Sequence, residues 1–362
     1  MLKKILRSFI PSFALNLLRK CRLFVNQIGL RLSFIMGMSG FGASLYYALA
    51  SSEFWQEHRA VLKGKQLYFK RMRKGSGNAF QLRRNIHRLE KGLCMKPQRN
   101  IFATDYIEDT INHFIVFANG CADDFDDAQL KWAHDVLSQY FSIVGNHPVI
   151  DVARETFNNF SSTHANSGHS SGPYLRELSE SSRISYEEFL KLSIQRRSVR
   201  WYLDKPVPRT LIDKAITAAA LAPSACNRQP FEFMIYDEPE LVHQVINIPG
   251  GTAGWSSSPP VVIALVGQLR AYFSERDRHL IYIDSSLSAM AFMLALETLG
   301  LSSCAINFPD IREYHLKISK LLSLGADEAV IMLISAGFAD PTGLIPFSQK
   351  KNIELLRSYN KC

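Results

Sequence analysis

The alternation of strand and helix patterns after residue 185 constrains the fold more than any other feature of this sequence. Ser185 and Glu188 have the spacing of a capping box, which predicts the start of a helix, and Pro208 opens a second helix that ends before Pro223. Apolar stretches bounded by turn residues then predict strands at 231–236, 260–266, 303–306 and 329–338 and helices at 239–246, 285–299 and 311–322. This order predicts a domain of mixed α and β structure.

A polar stretch separates this region from the part of the chain before it. Residues 158–184 are rich in Ser, Asn and Gly and contain few apolar side chains to offset the entropy of ordering, so we predict a linker. Apolar residues at helical spacing, as in 106–115, predict a mostly helical domain before the linker. We therefore expect a basic amphipathic segment at 1–52, a helical domain at 53–157, the linker at 158–184 and the α+β domain at 185–362.

Positive charge is concentrated near the N-terminus. The net formal charge is +9, yet residues 1–100 carry +17 and the rest of the chain carries −8. This asymmetry predicts an anionic partner, either a membrane surface or nucleic acid, and a solvated basic face is the alternative. Because basic residues alternate with apolar ones such as Leu6, Phe9 and Phe13, we favour an anionic membrane surface for residues 1–50 and expect no nucleic-acid partner.

The sequence is informative about cellular location as well. The uncharged segment Leu32–Ser52 is long enough to span a bilayer but is interrupted by glycines, so a segment lying on the surface is favoured and a span stays open. No signal-peptide pattern is present. The six cysteines lie far apart without a C-x-x-C pair, which is typical of reduced thiols. We predict a cytoplasmic protein, with peripheral association at the inner face of the membrane as the further expectation.

Two short motifs stand out in this sequence, which lacks the common catalytic signatures. The sequence has no G-x-S-x-G, no H-E-x-x-H and no P-loop, and its histidines are scattered, so we predict no metal site and no hydrolase. In Arg196–Arg200, three guanidiniums and a hydroxyl suit a phosphate, although a solvated basic cluster would look the same. In Ala222–Pro230, the amides of Asn227 and Gln229 can donate and accept hydrogen bonds as the edge of a flavin requires, and a plain helix-to-strand loop is the alternative.

Together the two motifs resemble the nitroreductase family, whose members typically show R-R-S-x-R followed by A-P-S-x-x-N-x-Q-P. The resemblance continues through Pro259–Ile263, the helix around Asp284 and Leu299–Cys304, and Ile334–Phe338. It implies a nitroreductase-like α+β fold with a mixed sheet flanked by helices. It also implies an FMN cofactor with NADH or NADPH as co-substrate, and a homodimer with composite sites. It also implies that the flavin carries the chemistry, so that no catalytic side chain is expected.

The resemblance assigns roles to particular residues. Arg196 and Ser198 match positions that hold the FMN phosphate and ribityl chain, and Arg200 matches the basic residue at the flavin N1/O2 edge. The complete set of expected cofactor-binding residues is Arg196, Arg197, Ser198, Arg200, Pro223, Ser224, Asn227, Gln229, Ala305, Ile306, Asn307 and Lys350. The loop with Ser224 and Asn227 is expected to serve the other subunit. Lys350 departs from the family pattern, which often has Arg there, and a solvated tail charge is the alternative.

A second likeness lies in the helical part of the chain. His87–Leu93 looks like an H-x-L-E-K-G-L motif of longer nitroreductase-like proteins from surface-polysaccharide gene clusters. His87 and Glu90 lie one helical turn apart, so a hydrogen bond is expected, and a structural pair is favoured over a catalytic one.

The leading functional hypothesis is an FMN-dependent NAD(P)H oxidoreductase that passes electrons through flavin N5 to a small acceptor by a ping-pong mechanism, with a link to surface polysaccharide metabolism. The alternative keeps the fold without turnover, as a membrane-associated assembly factor of polysaccharide synthesis. Its support is the basic N-terminal part and the short, charged connection at 267–283.

Overall fold

The computed structural model describes residues 20, 29, 31–73, 77–120, 125–161, 170–176 and 181–361 of the 362-residue chain. The chain divides into two compact units, Met1–His58 and Arg59–Cys362. The predicted segment and domain boundaries, at 52, 157 and 184, stay a prediction. The basic residues between 1 and 19, on which the membrane-surface hypothesis depends, lie outside the described residues.

In the first unit, a turn at residues 37–39 interrupts the helical backbone of the uncharged segment. Residues 31–36 are helical, a turn follows, and helix α1 (Gly40–Leu49) begins where the Ser39 hydroxyl accepts a hydrogen bond from the Gly42 amide at 3.0 Å. With 10 residues, α1 is about 15 Å long, half the thickness of a bilayer core. None of its residues is buried, and Met38 and Phe41 beside and within it are 87% and 81% exposed.

The second unit begins with a helical region, as the sequence predicts. Its helices are α2 (Trp55–Arg73, which starts in the first unit), α3 (Ala79–Leu93), α4 (Ile107–Ala118), α5 (Asp127–Ile143) and α6 (Pro148–Ser161). Helix α3 buries one apolar stripe, Leu82, Ile86 and Leu89, because these residues recur at helical spacing. The stripe packs against residues of α4 to α6 in a core of their own.

The sheet region follows the predicted order of elements closely. It contains α7 (Tyr186–Gln195), α8 (Arg209–Ala219), β1 (Phe231–Tyr236), α9 (Pro239–Ile246), β2 (Val261–Gln268), α10 (Leu280–Thr298), β3 (Ser302–Asn307), α11 (Arg312–Leu321) and β4 (Glu328–Gly337). The capping box is present: the Ser185 hydroxyl accepts from the Glu188 amide at 3.1 Å, and the Glu188 carboxylate accepts from the Ser185 amide at 2.8 Å.

The α+β class with helices on a sheet is confirmed, but the pairing differs from the predicted mixed sheet. The strand order is β1-β2-β4-β3, and all three strand pairs are antiparallel. The crossover through α10 does make β2 and β3 run in the same direction, yet β4 lies between them, so they never pair. Parallel pairing among the described residues is limited to one bridge between Ser198 and Ser303.

Alternating residues of the strands supply two cores, one on each face of the sheet. Ile263 and Leu265 of β2 pack with α8 and α10, whereas Val262 and Ala264 pack with α9 and α11. Among the described residues, the helix around α10 (Glu275–Thr298) has the length and mean hydropathy of a membrane span, and 44% of its most apolar window is buried inside the protein. Its contacts with the strands and with α8 account for this apolar composition.

A smaller core joins the helical region to the sheet region within the second unit. Ala60 of α2 and Phe80 of α3 pack against Leu269, Tyr272 and Ile281. Gly64 allows this approach, because a Cβ there would meet Leu269 atoms at 2.7 Å. As a result, α3 lies against the loop around residues 225–227.

Candidate functional site

The segment Arg196–Arg200 is positioned by the end of α7 and the edge of the sheet. Arg196 is the C-cap residue of α7, and its amide donates to the Leu192 carbonyl at 3.0 Å. Ser198 forms the parallel bridge with Ser303, and the Val199 amide donates to the Ser303 carbonyl at 3.1 Å. The predicted motif is thereby held against the start of β3, which also carries predicted site residues.

Unpartnered polar atoms collect around this segment. The Nε of Arg196, one carboxylate oxygen of Glu297 and the hydroxyl of Ser303 are buried and have no hydrogen-bond partner. Burial raises the pKa of Glu297, while the nearby Arg196 charge and hydrogen bonds from neighbours oppose the shift. Buried polar groups are normally satisfied in native proteins, so this set points to a polar ligand.

Arg200 lies at the same edge of the sheet. Its guanidinium is 5.8 Å from the centre of the Trp255 ring, and its Nη1 donates to the Ser198 carbonyl at 3.3 Å. The thiol of Cys304 is buried, and burial raises its pKa despite the positive charges of Arg200 and Arg196. Arg196, Ser198 and Arg200 are thus brought together with the first residues of β3.

The three expected residues of β3 divide between the two faces of the strand. Ala305 and Asn307 are exposed, whereas Ile306 is 6% exposed and packs in the core with α9 and α11. Only the backbone of Ile306 is therefore free to face a ligand, as the resemblance implies.

The second motif forms a tight loop with an unusual backbone. Cys226, Asn227 and Gln229 have φ angles of 54°, 52° and 48°, in the left-handed region. The side chain of Gln229 donates to Asn227 Oδ1 at 3.1 Å, and the Gln229 amide donates to the Ser224 hydroxyl at 3.1 Å. Three of the predicted residues thus hold one another in place.

This loop is fixed from both sides. The Arg83 guanidinium on α3 donates from Nε to the Asn227 carbonyl at 2.8 Å, and it also donates to Gln129. Asp284 on α10 accepts from the Ala225 amide at 3.0 Å. Burial raises the pKa of Asp284, while that hydrogen bond and the Arg228 charge oppose the shift.

The two motifs lie at opposite ends of α10. Gln195, beside the first motif, donates to Glu297 at 3.3 Å, whereas the loop contacts Asp284. These two helix positions are about 20 Å apart along the axis. Among the described residues, no hydrogen bond or ion pair joins the two motifs.

Of the remaining expected residues, Arg197 and Pro223 belong to the two motifs and Lys350 does not. Lys350 is exposed in the segment after β4, and its side chain contacts neither motif. Arg197 is half-buried and contributes its backbone carbonyl, which accepts from the Val199 amide at 3.1 Å. Pro223 precedes the loop and is half-buried.

The residues at the first motif fit a phosphate-bearing cofactor such as FMN. Arg196 offers an unpartnered donor, and Ser303 offers an unpartnered hydroxyl. Arginine donors of this kind match phosphate oxygens in geometry and charge. Within the described part of the chain, no group of His, Cys, Asp and Glu has a geometry suited to a metal ion.

The His87–Glu90 pair is hydrogen-bonded, as expected. His87 Nδ1 lies 3.2 Å from Glu90 Oε2, and the other oxygen of Glu90 accepts from the Trp132 indole at 2.9 Å. Glu90 therefore links α3 to α5, which accounts for part of the motif as a helix-packing contact.

Sequence reasoning missed several residues that build the site. Arg83 contacts Asn227 across 144 residues of sequence, and no local pattern marks such a pair. The acidic residue Asp284, set in an otherwise apolar helix, was a usable signal for a buried polar role. Glu297, in the last turns of the same helix, was another.

Known proteins are similar to part of this chain. The model of the nitroreductase family matches residues 194–249 and 241–338. Iodotyrosine deiodinase 1 of Rattus norvegicus is 36% identical over 66 residues, which is 18% of this chain and 23% of that protein. An Archaeoglobus fulgidus protein named "Putative NADH dehydrogenase/NAD(P)H nitroreductase" is 28% identical over 153 residues, 42% of this chain and 86% of the relative.

An FMN-dependent nitroreductase from Clostridium difficile R20291 superposes with a TM-score of 0.41 and 22% identity, covering 48% of this chain and 99% of that one. The chain covers less than two thirds of the Rattus norvegicus and Pongo abelii iodotyrosine deiodinases, 23% and 66% of their lengths. The residues that match the family model carry both the Arg196 motif and the Asn227 loop.

Proposed function

We propose that this protein is an FMN-dependent oxidoreductase that transfers electrons from NADH or NADPH to a small acceptor. The observation that carries the proposal is the set of buried, unpartnered donors at Arg196 and Ser303, next to Arg200. The names of the Archaeoglobus fulgidus and Clostridium difficile relatives, which mention NAD(P)H and FMN, support the same chemistry.

In this proposal the residues of the chain bind and polarise the cofactor. Arg196 and Ser198 hold its phosphate and ribityl chain, with Arg197 and Lys350 as further phosphate cations. Arg200 lies at the N1/O2 edge, where a positive charge stabilises the reduced, anionic ring. The backbone of residues 305–307 runs beside the ring. When bound, FMN supplies the group that accepts a hydride from NAD(P)H and returns the electrons to the acceptor, a ping-pong scheme.

The proposal includes a homodimer, because one chain holds the two motifs at opposite ends of α10. An apolar face supports it: Tyr186, Phe189 and Ile194 of α7 are 70%, 51% and 55% exposed, and Ile283 and Leu287 of α10 are 52% and 45% exposed. Helices α7 and α10 contact each other, so these residues belong to neighbouring surfaces. In such a dimer, Pro223, Ser224, Asn227 and Gln229 of the partner subunit complete the site.

The similarity to iodotyrosine deiodinases favours a second candidate reaction, the reductive removal of halogen from an aromatic acceptor. It requires the same cofactor and the same Arg196 motif, so only the acceptor differs. A third candidate, a non-catalytic and membrane-associated assembly factor of polysaccharide synthesis, is supported by the basic N-terminal part of the chain.

Cofactor content and turnover test the proposal together. The purified protein should be yellow, and it should oxidise NADH or NADPH in the presence of a quinone, a nitroaromatic or an iodotyrosine acceptor. Sustained oxidation that depends on the acceptor supports an enzyme, and release of iodide selects the second candidate. Protein that stays colourless after incubation with FMN would refute the proposal, and FMN-bound protein without turnover would favour the assembly factor.

We further propose that residues 1–50 bind an anionic membrane surface from the cytoplasmic side. Seven basic residues precede residue 32, and exposed apolar side chains such as Phe34 and Phe41 follow them. Flotation of the full chain with anionic vesicles, and its loss with neutral vesicles or on deletion of residues 1–50, is the expected result. Binding that ignores lipid charge would contradict it.

A further inference from the structure

Four arginines come together where the helical region meets the loop of the second motif. Arg84 and Arg88 lie one turn apart on α3 and therefore on the same side of the helix. The Arg84 guanidinium is 5.2 Å from the centre of the Phe273 ring, and that of Arg276 is 5.1 Å from the same ring. Arg228, which follows Asn227 in the loop, is 5.0 Å from the ring of Tyr272. We call these four residues the arginine cluster.

Arg228 is the member that points to a ligand. It is 3% exposed, and its Nε is buried without a hydrogen-bond partner. Within the described part of the chain, it makes no ion pair with a carboxylate. A buried guanidinium without a partner is costly, because its hydration is lost and no anion replaces it.

The acidic groups near the cluster form no ion pair with Arg84 or Arg228 among the described residues. Asp284 is buried and accepts from the Ala225 amide, and the nearby Arg228 charge opposes the rise in its pKa that burial causes. Asp105 is 3.3 Å from Arg88 but is mostly exposed, and Asp277 lies beside Arg276 at 3.5 Å. Burial, followed by the charges of Arg88 and Arg228, lowers the pKa of Arg84. Arg84 and Arg228 therefore face one another's charge, and in the part of the chain that the structure describes neither has a carboxylate within ion-pair distance.

We propose that Arg84, Arg88 and Arg228 bind an oxyanion, a phosphate or carboxylate group carried by the electron acceptor. This inference rests on the proposed function, which places the Asn227 loop, and so Arg228, beside the bound flavin of the partner subunit. The partly exposed ring of Phe273 lies beside Arg84 and Arg276 and suits an acceptor with a planar ring. The helical region then has a role in the reaction, because α3 supplies two of the three arginines that select the acceptor by charge.

Calorimetric titration of pyrophosphate into the full-length, FMN-saturated protein tests the site directly. Saturation with FMN fills the cofactor's own phosphate site, so added pyrophosphate reports on a second anion site. We expect one binding event per chain, weakened roughly tenfold or more in Arg84→Gln, because a charge-assisted hydrogen bond is lost. Arg312→Gln, which removes one exposed positive charge from the start of α11, should bind as the unaltered protein does. Absence of binding, or equal binding in Arg84→Gln, would overturn the proposal.

A second variant distinguishes anion binding from a purely structural role of the cluster. Arg228→Met removes the buried charge and keeps an unbranched apolar side chain in its place. Without added anion, this variant should melt at or above the temperature of the unaltered protein, and pyrophosphate should no longer raise that temperature. If the cluster is only structural, Arg228→Met should melt lower and the response to pyrophosphate should persist.

A matched pair of acceptors separates this inference from the proposed function. 4-Nitrobenzoate and 4-nitrobenzamide have similar shapes and differ in charge, so we expect a higher kcat/KM for the benzoate and loss of that preference in Arg84→Gln. If neither is reduced while pyrophosphate binding depends on Arg84, the proposed function fails and the anion site stands. If both are reduced equally well by the unaltered protein, the assignment of an anionic acceptor is wrong.

Discussion

The two motifs of the candidate site are built in opposite ways. The Arg196 motif is anchored through its backbone to β3 and leaves side-chain donors buried and unpartnered. In the Asn227 loop, side chains hydrogen-bond to one another, and Arg83 and Asp284 fix the backbone from two helices. The comparison indicates that the first motif is prepared to hold a ligand, whereas the second is a loop with a preformed backbone, in which Arg228 keeps an unpartnered buried donor.

The comparison is tested most sharply by mutating the two motifs on different chains. A chain with Arg196→Ala and Ser198→Ala should be inactive, and so should a chain with Asn227→Ala. When the two are refolded together, a dimer with shared sites regains one intact site, so activity should return to a substantial fraction of the unaltered level. Recovery is read from NAD(P)H oxidation. A holoprotein that is strictly monomeric in light scattering, or a mixture without recovery, would contradict the shared site.

Arg196→Ala alone should weaken FMN binding strongly. The change removes a charged donor that has no partner within the protein, and such bonds contribute about 1.5–3 kcal/mol each, or roughly tenfold to a hundredfold in Kd. Quenching of flavin fluorescence on binding gives the Kd. Arg312→Ala is the matched control, since it removes an exposed arginine elsewhere. Equal affinities would mean that Arg196 belongs to the solvated basic cluster instead.

Arg83→Gln should affect the Asn227 loop and not the Arg196 motif. Loss of the bond to the Asn227 carbonyl should lower the free energy of unfolding by about 1–2 kcal/mol, because a part-buried carbonyl loses its partner. The Kd for FMN should change little, whereas kcat/KM for NAD(P)H oxidation should fall. Urea unfolding followed by circular dichroism measures the first quantity. A drop in FMN affinity as large as that of Arg196→Ala would remove the distinction between the motifs.

Asp284→Asn gives the smallest expected effect and shows it as a pH dependence. The folded pKa of Asp284 is raised, so its contribution to stability is fully present below the unfolded pKa of about 3.9 and is lost as the pH rises through the folded value. An asparagine side chain does not titrate, so the variant does not lose stability in this way as the pH rises. Its free energy of unfolding relative to the unaltered protein should therefore increase between pH 4 and pH 7 in urea titrations, and a constant difference would show that Asp284 does not titrate there.

Local sequence patterns predicted the elements well where flanking residues mark their ends. Strand β1 has the predicted bounds, 231–236, since Pro230 precedes it and a polar turn follows. Strand β2 extends to Gln268, beyond the predicted end at 266, because Gly267 pairs with Phe231 and lies where a Cβ would meet Ile281 at 2.9 Å. Helix α10 starts at Leu280 rather than 285, since the polar residues 284–286 hid its first turn.

Local sequence patterns did not predict the contacts between distant parts of the chain. The position of β4 between β2 and β3 depends on packing against helices on both faces, and no local period encodes it. The same holds for Arg83, whose contact with the Asn227 loop requires α2 and α3 to be docked through Gly64 and Ala60. The candidate residues themselves were found because their motifs are short and contiguous.

The left-handed backbone at Cys226, Asn227 and Gln229 has a consequence for anyone who redesigns this protein for new acceptors. Asparagine and glycine tolerate that conformation, whereas β-branched residues are strained in it. Mutant libraries that place valine, isoleucine or threonine at these three positions would therefore consist mainly of misfolded loops. Diversity is better introduced at Arg84 and Arg88, which lie on the regular helix α3.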